Sequence, residues 1–271
     1  MPGRYTEELL ALPTQPAAAE QVLRLIGDRR SSAADLARVI ETDLSLAARV
    51  IRMANSPVYG APRRVANTQH AIVLLGFDTI RGLAASAACS LLDERTYLGP
   101  DGFWRHALGT AAASAAVARR VGWSAADAFS VGLLHDLGAV FLHRRDPKQF
   151  EISMTHSTMG AQVAGEIAAF GETHAQAGAA ALDAWGFPPP FVEAVALHQH
   201  GVEQPTYALG RILQVGEAIA LEHEPIPGYP GERDVERLLQ WVGLAPSDLD
   251  EMNREIDRSL VDLAHSLGAR A

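Results

Sequence analysis

The segment around which this chain is organised reads Ser130-Val131-Gly132-Leu133-Leu134-His135-Asp136-Leu137-Gly138. An imidazole and a carboxylate stand side by side here in a run of otherwise apolar and small residues. Burying either group on an apolar helix is costly unless it gains a hydrogen bond or a metal ion. The dipeptide alone leaves two interpretations open, a structural pair satisfied by neighbouring backbone or part of a functional site.

The composition indicates a folded protein with an acidic balance. Its 271 residues are 48% hydrophobic, which suffices for a substantial core, and the formal net charge is −9 at pH 7. Nucleic-acid binding is disfavoured because neutralising phosphates requires clustered Lys and Arg. The single cysteine, Cys89, excludes a disulfide framework, and we find neither a targeting segment nor a run of about 20 apolar residues. We therefore expect a cytoplasmic protein that binds neither nucleic acid nor a membrane.

Apolar residues recur at spacings of three and four along the whole chain, alanine is abundant, and β-branched runs are scarce. This pattern predicts an all-α fold. The turn-rich sequence Gly99-Pro100-Asp101-Gly102 predicts a boundary between two helical sub-domains near residue 97. Beyond this boundary, the spacing predicts single long helices over residues 124–144 and 148–169.

Titratable residues with small or apolar neighbours are concentrated after this boundary. A carboxylate such as that of Glu217, in the apolar sequence 212–219, would be expensive to bury without a partner. Zn, Mn and Fe accept imidazole and carboxylate ligands, and facing helices can supply one or two each. Spacing does not show that these residues meet, so a structural role is an alternative for each. The candidates are His106, His135, Asp136, His174, His198, His200 and Glu217.

Several motifs occur in an order that resembles a known family. In the first half they are Leu12-Pro13-Thr14-Gln15-Pro16, Leu36-Ala37-Arg38-Val39-Ile40, Asp43-Leu44-Ser45-Leu46-Ala47, Ala54-Asn55-Ser56 and Ala71-Ile72-Val73-Leu74-Leu75-Gly76. In the second half they are Phe103-Trp104-Arg105-His106, Gly132-Leu133-Leu134-His135-Asp136-Leu137-Gly138, and Glu166 followed by Gly171, His174, Gly178, Trp185 and Pro188. Over roughly residues 9–222 the chain is thus similar to the HDOD family, the HD-related output domains of bacterial signalling proteins.

The order of helical segments predicts a five-helix N-terminal bundle over residues 9–95. The resemblance implies that this bundle packs on an HD-domain-like helical bundle over residues 100–222, with residues 223–271 as a C-terminal helical extension. It also implies a divalent metal ion, Fe, Mn or Zn, held by residues that match the HD phosphohydrolase pattern. These residues are His106, His135, Asp136, His174, His198 and Glu217, with His200 and Glu166 as further candidates for a ligand pocket.

HDOD proteins are generally regarded as non-catalytic relatives of HD and HD-GYP phosphohydrolases. The resemblance therefore implies a bacterial signal-transduction protein that binds other signalling proteins or a ligand, with catalysis less favoured. This chain departs from the HD-GYP pattern at three positions. Ala139 replaces the lysine that follows the HD signature in HD-GYP proteins, Gln199 interrupts the usual histidine pair, and Glu217 stands where aspartate is usual. These departures argue more strongly against cyclic di-nucleotide hydrolysis than against metal binding.

The alternative is a metal-dependent phosphohydrolase that acts on a nucleotide or cyclic di-nucleotide, so the sequence leaves enzymatic activity open. A nucleotide second messenger as ligand and a homodimer are also compatible with the resemblance.

Three local features carry further predictions. Asn55, which precedes Ser56 and a proline, is predicted to bind turn backbone with its amide. The side chains of His135 and Asp136 would point about 100° apart on a helix. Both can therefore reach one ion only if the ion lies near a helix end or between the directions in which the two side chains point. Gly132 and Gly138 bracket this pair, and we expect them to leave room for the ion. The ion would neutralise buried carboxylates that have no cationic partner in these apolar helices.

Overall fold

The computed structural model describes residues 16–28, 30–56, 59, 65–88, 102–155, 158–184, 187–199, 207–226 and 233–267. All regular secondary structure in these ranges is helical, which confirms the all-α prediction. The chain divides into two compact units. Unit 1 comprises Met1–Tyr97 with Arg258–Ala271, and unit 2 comprises Leu98–Asp257.

Three of the helices of unit 1 begin at side-chain caps, which are Ser32, Asp43 and Asn67. Ser32 accepts a hydrogen bond from the Asp35 N–H while the Asp35 carboxylate accepts one from the Ser32 N–H, which completes a capping box. Asp43 accepts from the Leu46 N–H in the same way. The helices are α1 (Pro16–Gly27), α2 (Ala33–Ile40), α3 (Leu44–Ala54), α4 (Thr68–Leu75) and α5 (Phe77–Ala88).

Asn55 follows α3 and ties the end of this helix to a later segment. Its Nδ2 donates to the carbonyl oxygens of Ile51 and Val65, both at 2.8 Å, and its Oδ1 accepts from the Val65 N–H at 2.8 Å. The neighbouring Ser56 is buried, and its N–H donates to the Met53 carbonyl at 3.0 Å. The Asn55 amide therefore satisfies both backbone groups of Val65, ten residues away.

We expect Asn55→Ala to lower the free energy of unfolding by about 1–3 kcal/mol, since the substitution removes three hydrogen bonds of which two satisfy the backbone of buried Val65. Urea denaturation measures this change. Gln69→Ala, at an exposed position of α4, is the matched control and should leave stability nearly unchanged. Equal midpoints for the two variants would contradict a structural role for Asn55.

Unit 2 is built around a long helix that packs against two others. This helix, α6, contacts α7 and α13 extensively. The contact with α13 is close, since a Cβ atom on Gly216 would lie 2.2 Å from the Ser114 Oγ and 2.7 Å from the Ser114 N. The helices are α6 (Phe103–Arg120), α7 (Ala125–Leu134), α8 (Leu137–Arg145), α9 (Pro147–Met154), α10 (Met159–Phe170), α11 (His174–Ala184), α12 (Pro189–Leu197), α13 (Ala208–His223) and α14 (Val235–Trp241).

Two of the long helices predicted beyond residue 97 are broken. The prediction of one helix over residues 124–144 was wrong because a turn at residues 135–136 separates α7 from α8. The prediction over residues 148–169 was wrong because α9 ends at Met154 and α10 begins at Met159. Hydroxyl groups at this second break compete for backbone partners: Thr155 donates to the Ile152 carbonyl, and Thr158 accepts from the Ala161 N–H.

Among the residues that the structure describes, two apolar segments match the length and hydropathy of a membrane span. Ala125–Arg145 matches by itself, but 78% of its apolar window is buried inside the protein, as in a core helix. The second segment joins α4 and α5, which are bent by 109° at Gly76. Gly76 has φ +78°, a conformation that residues with a Cβ atom rarely adopt. Length and composition are therefore weak indications of a membrane span in either segment.

The helix α15 (Leu249–Leu267), which contributes to both units, is tied to α6 by ion pairs within unit 2. The Glu255 carboxylate accepts from the guanidinium groups of Arg119 and Arg120, the latter at 2.8 Å. Burial alone would raise the pKa of Glu255, but the two arginines outweigh this effect and hold the pKa below its ordinary value.

A carboxyl group with a lowered pKa stabilises the folded state when it is ionised, and this contribution is lost as the pH falls through the pKa. We expect Glu255→Gln to lower the free energy of unfolding by about 1 kcal/mol at pH 7, because the ion pairs are partly exposed. The difference from the wild type should shrink as the pH falls below about 4.3, the ordinary pKa of glutamate, because the carboxyl of the unfolded chain then binds a proton while that of the folded protein, with its lowered pKa, stays ionised. Urea titrations at pH 7 and pH 3.5 test this, and a constant difference would contradict the assignment.

Candidate metal centre

The HD pair lies at a junction between two helices. The helix α7 ends at Leu134, His135 and Asp136 form the turn, and α8 begins at Leu137. Asp136 has φ −99° and ψ 12°, which takes the backbone out of helical geometry. The two consecutive side chains consequently meet, with the His135 Nε2 3.4 Å from the Asp136 Oδ1. The chain thus provides the helix end that two consecutive ligands require.

Three further imidazoles surround the Asp136 carboxylate. His106 lies in the first turn of α6, His174 is the first residue of α11, and His198 directly follows α12. Their Nε2 atoms lie 3.4, 3.2 and 3.3 Å, respectively, from an Asp136 oxygen. The Nε2 atoms of His106 and His135 are 3.0 Å apart, and those of His174 and His198 are 3.3 Å apart. Four nitrogen atoms and one carboxylate therefore converge on one centre.

Backbone carbonyl groups fix the tautomers of two of these histidines. The Nδ1 atoms of His135 and His198 lie 2.7 Å from the carbonyl oxygens of Gly132 and Val195. A carbonyl oxygen only accepts hydrogen bonds, so each Nδ1 carries a proton. In the neutral ring the lone pair is then on Nε2, which faces the centre. This is the orientation that a metal-binding histidine needs.

Glu166 orients a third histidine from the side opposite the centre. Its Oε1 is 2.7 Å from the His174 Nδ1, and its Oε2 accepts from the His174 backbone N–H at 2.9 Å. Glu166 is fully buried on α10, and both of its oxygens are used in this way. The arrangement is the carboxylate–histidine pair that commonly supports a metal ligand. Glu166 therefore lies behind His174 and not in the ring of candidate ligands.

Glu217 has a cationic partner, contrary to the prediction that the buried carboxylates have none. Its Oε1 lies 4.0 Å from the His106 Nε2, and its Oε2 lies 2.8 Å from the Arg233 Nη1. The prediction was wrong because Arg233 lies in the segment that precedes α14, outside the apolar helices that carry the candidate ligands. No spacing pattern marked Arg233, and the only indication was that Glu217 required a partner.

The cluster has an uneven distribution of protons. Burial lowers the pKa of His106 to about 4 even though Asp136 acts in the opposite direction. Burial would also lower the pKa of His174, but Asp136 and Glu166 raise it to about 10. The pKa of Asp136 lies well below its ordinary value because His135 and His174 outweigh the effect of burial. Without an ion, His174 therefore carries a proton between two carboxylates.

The donor set fits a divalent metal ion. Two groups, His106 with His135 and Glu217, and His135 with Asp136 and His198, each bring their ligand atoms within 4.8 Å of one another. Metal–ligand bonds of about 2.0–2.1 Å place two ligands of one ion roughly 3.0–3.4 Å apart, and the nitrogen–nitrogen separations of 3.0 and 3.3 Å agree with this range. Imidazole and carboxylate donors suit Fe, Mn and Zn alike.

The predicted site residues thus fall into three groups. His106, His135, Asp136, His174, His198 and Glu217 lie together around the centre. Glu166 contacts one of them from behind. His200 lies outside the described residues.

The glycines that bracket the HD pair face neighbouring helices and not an ion. A Cβ atom on Gly132 would lie 2.7 Å from the Ala111 Cα on α6, and one on Gly138 would lie 1.9 Å from the His174 carbonyl oxygen on α11. The expectation that they leave room for an ion was wrong because backbone fills the space. Gly178 lies across from Gly138, so α8 and α11 approach each other through glycines on both sides.

Comparison with known proteins agrees with this architecture. A 1.62 Å structure of a candidate phosphohydrolase from Shewanella amazonensis SB2B is similar, with a TM-score of 0.68, 23% identity, and coverage of 96% of this chain and 95% of that chain. A candidate signal transduction protein from Marinobacter aquaeolei VT8 has a TM-score of 0.65 and 23% identity, over 98% of this chain and 62% of that chain. An HDOD domain protein of unknown function from Geobacter sulfurreducens has a TM-score of 0.61 and 25% identity, over 94% and 92%.

The sequence comparisons define the family. A curated uncharacterised protein from Treponema pallidum (strain Nichols) is 23% identical over 197 residues, which are 70% of this chain and only 38% of that protein. The model of the HDOD domain matches residues 12–201, which is more than half of this chain. The chain therefore belongs to the HDOD family, as the motifs in its sequence indicated.

Proposed function

We propose that this protein is a regulatory HDOD module that holds a divalent ion in unit 2 and acts by binding other signalling proteins, without catalysing a reaction. The ion would be held by ligands from the cluster of His106, His135, Asp136, His174, His198 and Glu217. When bound, the ion would supply a positive charge that links the helices carrying these ligands. Because it would bind only the folded state, it would also stabilise the fold.

The burial of the centre is the observation that carries this proposal. The six candidate ligands are between 0% and 5% exposed. Structural metal sites are closed by protein ligands, whereas catalytic sites keep a position open for water or substrate. A phosphate ester would have to reach the ion through a shell of four imidazoles and two carboxylates. A closed centre supports a stabilising or sensing role better than a hydrolytic one.

The charges around the centre also favour a regulatory role. Phosphoryl-transfer sites use cationic side chains to stabilise the charge that develops on the phosphate oxygens. At this centre the Arg233 guanidinium is already paired with Glu217 at 2.8 Å. Ala139 occupies the position at which HD-GYP phosphohydrolases carry a lysine. It is an apolar residue and is 2% exposed. Neither position provides a cation that is ready to bind a phosphate.

A second candidate function is metal-dependent hydrolysis of a nucleotide phosphodiester. It is favoured by the donor set itself, because an ion held by imidazoles and carboxylates can activate water for attack on phosphorus. In this case His174, which Glu166 orients, and the Asp136 carboxylate would be positioned to hold or move a proton.

Metal analysis and a hydrolysis assay on tag-free protein distinguish the two functions. For the regulatory module we expect a bound divalent ion and no turnover of cyclic di-nucleotides or of bis(p-nitrophenyl) phosphate. Turnover by the metal-loaded protein that is lost in Asp136→Ala would establish the hydrolase instead. Protein that binds neither Mn²⁺ nor Zn²⁺ after removal of other metals would contradict both functions.

A further inference from the structure

Arg233 enters the metal centre from beyond the residues that the family model matches. Its side chain is 12% exposed, and its Nη1 lies 2.8 Å from the Glu217 Oε2. The same Nη1 donates to the Gln214 carbonyl at 3.3 Å, and Nη2 contacts the Met159 sulfur at 3.7 Å. The next residue, Asp234, caps α14, so the segment is anchored. The guanidinium is therefore a fixed part of the centre.

The centre contains two overlapping groups of candidate ligands that share His135. One group depends on Glu217 and the other on Asp136. This arrangement offers two places where an ion could bind. The two oxygens of Glu217 have different surroundings, since Oε1 is 4.0 Å from the His106 Nε2 while Oε2 faces Arg233. Arg233 thus modifies the charge of the group that contains Glu217.

The buried charges match a single divalent ion. The centre and its supporting residues contain three buried carboxylates, Asp136, Glu166 and Glu217, and the guanidinium of Arg233, which together carry a charge of −2. Histidines are neutral when they bind a metal. One divalent ion therefore brings the charge to zero. A second ion would leave an excess of +2 in a site that is shielded from water, which is unfavourable.

We propose that Arg233 limits the centre to one divalent ion, because its charge neutralises the carboxylate on which a second ion would depend. The proposal rests on the proposed function only in requiring that the centre binds an ion. The proposal gives Arg233, which precedes α14, a role in setting the number of metal ions that the centre binds. Without Arg233 the carboxylates carry −3, so a second divalent ion would leave an excess of only +1, compared with +2 in the wild type.

The test loads metal-free protein with Mn²⁺ and compares the metal content of the wild type with that of Arg233→Met, which keeps an unbranched apolar side chain but removes the charge. Desalted protein is analysed by mass spectrometry for metal content and by electron paramagnetic resonance, which separates isolated Mn²⁺ from coupled pairs. We expect one isolated ion per chain in the wild type and two coupled ions in R233M. R233K, which keeps the charge, and R237M, at an exposed position nearby, should each bind one ion.

A double variant tests the mechanism. In R233M/E217Q both charges of the pair are absent, so the stoichiometry should return to one. R233Q should also bind two ions and provides a second uncharged variant if R233M folds poorly. Circular dichroism of each variant checks its helical content.

The outcomes separate the inference from the proposed function. The inference alone would be overturned if the wild type, R233M and R233Q each bound one ion, whether the variants bind it with equal or with weaker affinity. Weaker binding would show that Arg233 instead orients Glu217 as a ligand. A wild type with two ions would likewise overturn the inference. A wild type with none would overturn the proposed metal centre and the inference together.

Discussion

Replacement of Asp136 by asparagine should abolish metal binding while leaving the helical fold in place. The Asp136 carboxylate lies within 3.4 Å of the Nε2 atoms of all four histidines. An asparagine side chain has nearly the same shape but no negative charge, and its amide nitrogen is not a metal ligand. We expect a loss of affinity of more than about 100-fold, since even changes to residues that only support ligands cost 10–100-fold.

The thermal stability gives an independent readout of the same substitution. An ion that binds only the folded state adds about 2.7 kcal/mol when its free concentration is 100 times its dissociation constant. Mn²⁺ should therefore raise the melting temperature of the wild type, and chelation should lower it. In D136N the melting temperature should not respond to either treatment. Asp183→Asn, at an exposed position of α11, is the matched control and should behave as the wild type does.

Wild-type affinity in D136N would remove Asp136 from the ligand set. A metal-dependent melting temperature in D136N, with reduced affinity, would show that the imidazoles alone hold the ion. Both results would require a different arrangement of the centre, although the HDOD fold would be unaffected.

The helices of unit 1 could be predicted because their signals are local. Ser32 and Asp43 are cap residues, and each accepts from an N–H three residues later, within the first turn. The apolar stripe of Leu46, Val50 and Met53 is at most 1% exposed, as its spacing indicated. Such features need no knowledge of the remainder of the chain.

The break between α7 and α8 could not be predicted in the same way. Leu133, Leu134 and Leu137 continue an apolar helical pattern through this position, and no proline interrupts it. The turn is instead associated with a side-chain interaction, in which the His135 Nδ1 bonds to the Gly132 carbonyl at 2.7 Å. How much this bond stabilises the turn depends on the partners of the other ring nitrogen, Nε2, and other helices supply those partners.

The candidate ligands and their supporting residues differ in how far the sequence indicates them. The order of motifs marked His106, the HD pair, His174, His198 and Glu217, all of which lie together. It also marked Glu166, but without its role as the partner of His174. Arg233 was missed because an arginine after a loop is usually a solvated residue, and only the folded chain brings it to Glu217.

Gly138→Ala should be strongly destabilising and should also disturb the metal centre. The new methyl group would lie 1.9 Å from the His174 carbonyl oxygen and 2.6 Å from the Gly178 N, both of which are backbone atoms that cannot rotate away. Overpacking of a core typically costs about 1–3 kcal/mol, and we expect the upper end of this range because α8 and α11 must separate.

This separation would move His174, the first residue of α11, away from Asp136 and reduce metal affinity in the protein that remains folded. Gly160→Ala is the matched control, because no atom lies within 4 Å of its new methyl group and α10 should gain up to about 1 kcal/mol from the better helix former. Urea denaturation in the presence of a chelator measures the packing cost, and Mn²⁺ titration of the folded variant measures the displacement of His174. A Gly138→Ala protein as stable as the wild type would show that the two helices can separate at little cost. If its Mn²⁺ affinity were also unchanged, the position of His174 would not depend on the contact between Gly138 and α11.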